Sequence, residues 1–473
     1  MNKLYLGDCL DVLRNELEIK PESVDLIYID PPFNSKRNYN VFFDDKEIQT
    51  QRMAFEDTWS LHSVSKSLTE LDTLHHDKLL NLLNAYRDIA PQVFPYLVMM
   101  TLRIIELHKV LKPTGSFYLH CDPTASHYLK TVCDAIFGVK NFRNEIIWSY
   151  RRWTGKAKKF QNLHDVILFY TKSNDYLFNV LYTDYTEKSL HRKKNYHTRI
   201  KNNEVYVTSI DKKGVRENDV WQIQLLNSQS KERLGYPTQK PKSLLERIIK
   251  ASSNESDIIL DAFCGCGTTI DTAESLNRQW IGIDIAPFAV SLIKRRLQDT
   301  YGDDLNKFEV RGTPTDEPSA IKLWEQNPFA FEDWWLTELE VFATTYGKKG
   351  ADKGIDGIGQ YLIPKSDKSV KVAFQVKGGK VQSKDIDALM GVVALDKYNM
   401  GVLLTRHKPT KPMLQKATQA GQYEATYGFK YPKIQIMTLA EFFAGKDLSL
   451  PKDNITFKSA TTIGKSAKQV GLF

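Results

Sequence analysis

The stretch DIILDAFCGCGTTIDTAESLNRQWIGIDI, Asp257 to Ile285, decides the fold. DIILDAF reads as a buried strand, CGCGTT as a glycine-rich turn, TTIDTAESL as a helix and WIGIDI as a second strand ending on an acid. That order is a βαβ unit, which requires a parallel sheet with helices on its faces. Gly265 and Gly267 let the backbone approach a ligand closely, and Asp284 is placed to accept hydrogen bonds from ribose hydroxyls. Asp261, Phe263 and Thr268 belong to the same candidate cofactor site. Ile270 stands where the third glycine of a dinucleotide fingerprint belongs, which disfavours NAD and points to an adenosine-bearing cofactor without pyrophosphate; S-adenosylmethionine is one. A plain glycine turn is the competing reading, and Cys264 and Cys266 read as small fillers.

Working outward, VDLIYIDPPFN, Val24 to Asn34, is an apolar run that halts on an acid and two prolines. Proline has no N–H for a sheet ladder and a fixed φ, so Asp30 sits where a strand leaves its sheet. Open α/β sheets bind ligands at the carboxyl ends of their strands, which makes Asp30 a candidate for chemistry, with a strand-stopping turn as the alternative. LIYID, GSFYLH, EIIWSY and DVILFYT alternate with helical segments such as MMTLRIIELHKVL, and KSLLERIIKAS adds an amphipathic helix. The expected fold class is α/β, a Rossmann-like sheet with helices on both faces over 1–298, carrying an inserted segment at about 172–235. Residues 299–320 lose periodicity and read as a linker; a smaller α/β domain follows at 321–448 and a Lys-, Ser- and Thr-rich tail at 449–473.

Lys plus Arg at 65 against Asp plus Glu at 57 gives +8, a mild excess that suits a polyanionic partner. Five cysteines without a CxxC pair indicate neither a disulfide framework nor a zinc site and fit a reducing cytosol. The apolar run VFPYLVMM is too short to span a bilayer, and Asp8 and Asp11 interrupt the N-terminal apolar stretch, so neither a membrane segment nor a signal peptide is expected.

A methyl donor near an Asp-Pro-Pro-Phe strand end suggests transfer to an amine conjugated with a ring. The exocyclic nitrogen of adenine is a poor nucleophile because its lone pair is delocalised, so acceptors for both N–H groups are needed to turn that pair toward the methyl carbon. Asp30 and the Pro31 carbonyl offer acceptors, Pro31 and Pro32 stiffen the turn without adding donors, and Phe33 offers a ring for stacking. A base presented that way has left the helix stack. The chain has no Pro-Cys dipeptide, which argues against cysteine attack on a cytosine ring carbon; RNA or protein amides stay open on chemistry alone.

Together with GDCLDVL, VLKPTGSFYLHCDPTASHYLK, NLHDVILFYTK and ERLGYPTQKPKSLLERII, these stretches resemble, in order, the amino-methylating DNA methyltransferases of the beta arrangement, in which the catalytic motif precedes the cofactor motif. The resemblance covers residues 1 to about 298 and implies a methyltransferase that uses S-adenosylmethionine on double-stranded DNA within a restriction-modification system. It also implies that Asp8 helps hold the cofactor adenine, that Asp284 holds its ribose, and that YPTQKP, with Lys240, precedes a helix beside the cofactor. Aspartate at position 30 fits adenine N6 methylation, serine being usual in cytosine N4 enzymes, so adenine N6 is the expected target and cytosine N4 the alternative. The segment between the halves is where this family reads sequence. HRKKNYHTR (191–199) and YRRWTGKAKKF (150–160) mix cations with aromatics, suited to phosphate and base contacts or to a solvated basic loop.

In the smaller domain, GADKGIDGIGQYLIPKSDKSVKVAFQVKGG (350–379) sets Asp356 after a glycine-rich run and Gln375 and Lys377 on a following strand. A carboxylate and an amide oxygen suit a hard cation such as Mg2+ held by Asp356 and Gln375, with Lys377 polarising water and Glu338 or Glu340 completing the site. The pattern resembles the Mrr-type branch of the PD-(D/E)xK nuclease fold, with Gln in place of the second acid. It implies either a bifunctional restriction endonuclease and methyltransferase or a DNA-binding module with a decayed site. QVGLF, Gln469 to Phe473, resembles the peptide that docks bacterial proteins on the replication sliding clamp, a plain hydrophobic end being the alternative. A homodimer and a cytoplasmic, nucleoid-associated location in a bacterium or phage host complete the expectations.

Overall fold

A computed structural model describes residues 2–32, 61–152, 158, 160–185, 198–201, 204–207, 214–227, 229–230, 232–234, 238–343, 355–366, 368–395 and 398–454. Phe33, Gln469 to Phe473 and most of HRKKNYHTR lie outside these residues. The first unit contains strands β1 Asn2–Leu6, β2 Val24–Ile29, β3 Leu111–Cys121, β4 Phe142–Ser149, β5 His164–Thr171, β6 Tyr182–Thr183, β7 Thr198–Lys201, β8 Glu204–Val207, β9 Val215–Arg216, β10 Val220–Gln222, β11 Ile258–Asp261, β12 Gln279–Asp284 and β13 Phe308–Arg311. Nine of them form one sheet in the order β10-β4-β5-β3-β2-β11-β12-β1-β13. Neighbours are parallel except at β5, which runs against β3 and β4.

A sheet covered on both faces has strands that are apolar throughout, and β2 divides its side chains between two cores. Val24, Ile27 and Ile29 enter one, with helices Phe94–Val110 and Ser126–Phe137. Leu26 and Tyr28 enter the other, with helices Lys242–Ser252, Thr268–Ser275 and Pro287–Tyr301. Leu26 and Ile27 of β2 lie opposite Ile259 and Leu260 of β11, so Asp30 and Asp261 leave the sheet at the same edge. Leu6 at the end of β1 lies opposite Asp284, which brings the Gly7-Asp8 turn to that edge as well.

Residues 299–320, expected as a linker, are largely structured. The helix Pro287–Tyr301 crosses position 298, β13 pairs with β1, and a helix Glu317–Gln326 starts before 320. FEVR is half polar because an edge strand keeps one side wet, which hid it from an apolar pattern. Part of the expected insertion also belongs to the sheet. β10 pairs with β4, and the Asn179 side chain donates to the carbonyls of Lys250 (3.0 Å) and Ser253 (3.2 Å).

The second unit holds β14 Phe342–Ala343, β15 Gly357–Leu362, β16 Ser369–Lys377, β17 Met400–Thr405, β18 Gln422–Glu424, β19 Lys430–Pro432, β20 Ile434–Thr438 and β21 Asp453–Asn454. Its main sheet runs β14-β15-β16-β17-β20, antiparallel up to β16 and parallel beyond, and β21, from the expected tail, pairs with β15. The helix Pro328–Glu338 packs Phe331, Trp334 and Trp335 into its core with Val372 and Phe374.

Buried Glu274 ties β1 to β12. It accepts from Asn2 Nδ2 (3.0 Å), Trp280 Nε1 (2.7 Å), the Asn306 backbone N–H (3.0 Å) and Asn306 Nδ2 (2.7 Å). Glu274→Gln turns an NH2 group toward donors, and stranding buried donors costs roughly 1–3 kcal/mol each. The first unit's denaturant midpoint should fall by an amount equivalent to about 2–4 kcal/mol; an unchanged midpoint would contradict this account of how β1 is held.

Candidate active site

The glycine-rich turn between β11 and the helix Thr268–Ser275 folds around two carboxylates. Gly265 and Gly267 have φ of +49° and +72°, the left-handed region open to glycine. A Cβ at 267 would stand 2.6 Å from Ile293 Cγ1. Asp284 accepts from the Gly265 N–H (2.8 Å) and the Ala286 N–H (2.9 Å), and Asp261 from the Phe263 N–H (3.0 Å). Behind the turn, Arg296 donates to the Cys266 carbonyl (3.1 Å), to Thr268 Oγ1 (3.2 Å) and to Asp271 (2.9 Å). Cys264 and Cys266 are buried free thiols that burial pushes upward, so they act as filling. Asp8 caps the helix Cys9–Arg14 through the Leu10 N–H (2.9 Å), and both its oxygens accept from Arg103 Nη2 (2.7 and 2.6 Å).

Burial raises Asp261 to about 7 and Asp284 to about 6; the charges of Asp30 and Asp284 add to the rise at Asp261, while backbone N–H groups oppose it at both. The described residues thus gather buried acids at the glycine turn, to which a cationic ligand is electrostatically suited and a pyrophosphate is not. S-adenosylmethionine, with its sulfonium and ammonium, fits these acidic groups.

Asp30 and Pro31 follow β2, Pro31 buried and Pro32 half-buried. The Asp30 carboxylate does not stand alone. Lys240 Nζ donates to its Oδ2, so the lysine expected beside the cofactor touches the candidate catalytic acid, and its charge also reaches Cys266 in the cofactor turn. Beneath Asp30 lies fully buried His120 of β3, with Nδ1 3.7 Å from Asp30 Oδ1 and 2.9 Å from the Tyr28 hydroxyl. Its Nε2 is 3.4 Å from Asp165 Oδ2, and Tyr150 donates to Asp165 Oδ1 (3.3 Å). Burial alone would raise Asp165, but His120, Lys240 and Tyr150 outweigh it and hold that carboxyl below the usual range. His120, Tyr28 and Asp165 were not singled out from sequence, although they lie within the quoted stretches GSFYLHCDP, LIYID and NLHDV. Of the basic-aromatic patch, Tyr150 is tied inward while Arg151, Arg152, Lys158 and Phe160 are exposed.

In the second unit, the Asp356 N–H donates to the Phe374 carbonyl (2.8 Å), and Asp356 Oδ2 accepts from the Val376 N–H (2.7 Å). Gln375 is buried, and among the described residues its Oε1 has no partner. Glu338 and Glu340, expected to complete this site, are exposed. Glu332 takes that place: burial first and the Asp356 charge second raise it to about 7, with Lys377 opposing. Six residues rotate a helix by about 600°, which carries position 338 away from the face that Glu332 occupies. Among the described residues no group of three or more His, Cys, Asp or Glu side chains is arranged to hold a metal. No helix among them is long and apolar enough to cross a membrane.

A profile of the N6/N4 DNA methylase family matches residues 24–295, and a family described as NACHT-associated inactive restriction endonuclease 1 matches 330–442. The type II methyltransferase M.HpaI of Haemophilus parainfluenzae is 27% identical over 341 residues, 72% of this chain and 87% of that protein. The DNA adenine methyltransferase YhdJ of Escherichia coli is 28% identical over 299 residues, 62% of this chain and 81% of that one. The solved PvuII DNA methyltransferase, described as cytosine-N4-specific, superposes with a TM-score of 0.38 at 16% identity, over 66% of this chain and 95% of that one.

Asp261 and Asp284 keep protons in the folded chain that they release on unfolding, where carboxyls titrate near about 4. Their contribution to stability is whole below about pH 4 and is lost as pH rises through about 6 and 7. Chemical denaturation should therefore give lower stability at pH 8 than at pH 5, with a smaller fall in Asp261→Asn; an identical fall in both proteins would refute the assignment.

Proposed function

This chain belongs to the N6/N4 DNA methylase family, and from that premise we propose that it moves a methyl group from S-adenosylmethionine to the N6 amine of an adenine turned out of duplex DNA. The observation that carries the reading is the convergence of Asp30 and Asp261 at one sheet edge, with Lys240 reaching across from the catalytic acid toward the cofactor turn. When bound, S-adenosylmethionine supplies an electrophilic methyl on a sulfonium. Asp30 accepts one amine N–H and the Pro31 carbonyl the other, which aims the nitrogen lone pair at that methyl. The bound cofactor would give up its methyl with the S–C electron pair staying on sulfur as a neutral thioether, and an Asp30 oxygen would accept the proton that the methylated amine sheds. In the resting chain Lys240 occupies that seat, so Asp30 exchanges its lysine partner for the entering neutral amine.

The aspartate at position 30 supports adenine over cytosine, as does the name of the E. coli relative. The restriction-modification setting is supported by the type II relatives. The second domain is read as a nuclease-like module. One observation favours cleavage: among the described residues Gln375 Oε1 is a buried acceptor without a donor, which suits a cation, and Asp356, Gln375 and Glu332 are the residues whose oxygens would hold Mg2+. The matching family is nevertheless described as inactive.

Incubation with labelled S-adenosylmethionine and duplexes of varied sequence should label adenine N6. Asp30→Ala should lower the rate by at least about 1,000-fold while cofactor affinity stays within a few-fold. Label on cytosine N4 alone would overturn the base assignment, and full activity in Asp30→Ala would overturn the site.

A further inference from the structure

The parallel strands β16 and β17 end side by side, Lys377 opposite Thr405, and the Arg406 N–H donates to the Lys377 carbonyl (3.3 Å). Carboxyl ends of parallel strands are where open α/β sheets receive ligands. Just beyond them the Arg406 guanidinium lies over the Trp324 ring, 3.9 Å from its centroid. Its Nε is buried without a partner, and its Nη2 has only the His407 ring at 3.4 Å; among the described residues no carboxylate pairs with it.

Trp324 comes from outside the sheet, on the helix Glu317–Gln326, whose N-terminus Asp316 caps by accepting from the Ser319 N–H (2.8 Å). It reaches Arg406 because position 378 has no side chain: a Cβ on Gly378 would stand 1.9 Å from Trp324 Nε1. The glycine after QVK thus admits an aromatic platform, and the platform holds a guanidinium flat and half-buried beside Lys377.

A guanidinium stacked on an indole keeps its edge N–H groups in a fixed fork, which matches the paired oxygens of a phosphate better than a mobile ammonium does. Among the described residues Arg406 has no anion to satisfy that fork. We propose that Arg406, seated on Trp324, is an anchor for one phosphodiester of a nucleic-acid backbone at the second domain, next to Lys377. This anchor does not depend on the methyl-transfer reading, nor on whether the domain cleaves.

The full-length chain tests it by fluorescence anisotropy with a labelled short duplex lacking the methylation target, titrated over a range of salt. Arg406→Ala should weaken binding about tenfold and lower the slope of log affinity against log salt by about 0.9, one phosphate contact. Gly378→Ala changes no charge but displaces Trp324, and should weaken binding at least threefold. Melting temperature should match wild type in Arg406→Ala, and methyl transfer should match it in both variants. Affinity within twofold of wild type and an unchanged slope in Arg406→Ala would overturn the proposal. Loss of inorganic phosphate binding in that variant, with duplex binding intact, would assign Arg406 to a small-anion site and overturn it equally.

Discussion

The pairing of β2 with β11 is the constraint on which the rest depends. Asp30 and Asp261 are separated by most of the first unit, yet parallel neighbours end at the same edge, and that edge is where two acids can share a small volume. β12 and β1 bring Asp284 and the Gly7-Asp8 turn to the same place. Had β2 paired one strand further away, the same residues would lie too far apart for a methyl group to pass between two ligands.

Crowding acids at one edge has an electrostatic cost, and the cations around it are distributed to meet that cost. Arg103 takes both oxygens of Asp8, Arg296 holds Asp271 behind the glycine turn, and Lys240 meets Asp30. Asp261 is met by the Thr269 side chain and the Phe263 N–H, Asp284 by backbone N–H groups, and burial raises both. The uneven compensation leaves a demand for positive charge beside the glycine turn, which ties the choice of cofactor to the physics of these acids.

Much of this was legible in the sequence because it is carried by local patterns. An apolar run stopped by two prolines, and glycines at two left-handed positions before a helix, need no tertiary information. What was not legible depends on distant strands meeting. His120 becomes part of the site only because β3 lies beside β2 and β5 beside β3. Glu332 outranks Glu338 by helical phase against a sheet whose position no local pattern reveals. Trp324 and Arg406 stand 82 positions apart, and no local pattern brings a helix residue onto a strand end. β13 escaped because its one wet side breaks the apolar run.

The two units place different chemistries on one chain: a sheet edge that suits base modification, and a second sheet edge with half-buried cations near Asp356 and Glu332. The most direct test of the central claim is sequencing of modified bases in DNA from cells that express this chain and from cells that express Asp30→Ala. N6-methyladenine at one defined sequence, present with the first and absent with the second, is the expected result. N4-methylcytosine in its place, or no modified base while the protein is folded and binds S-adenosylmethionine, would contradict it.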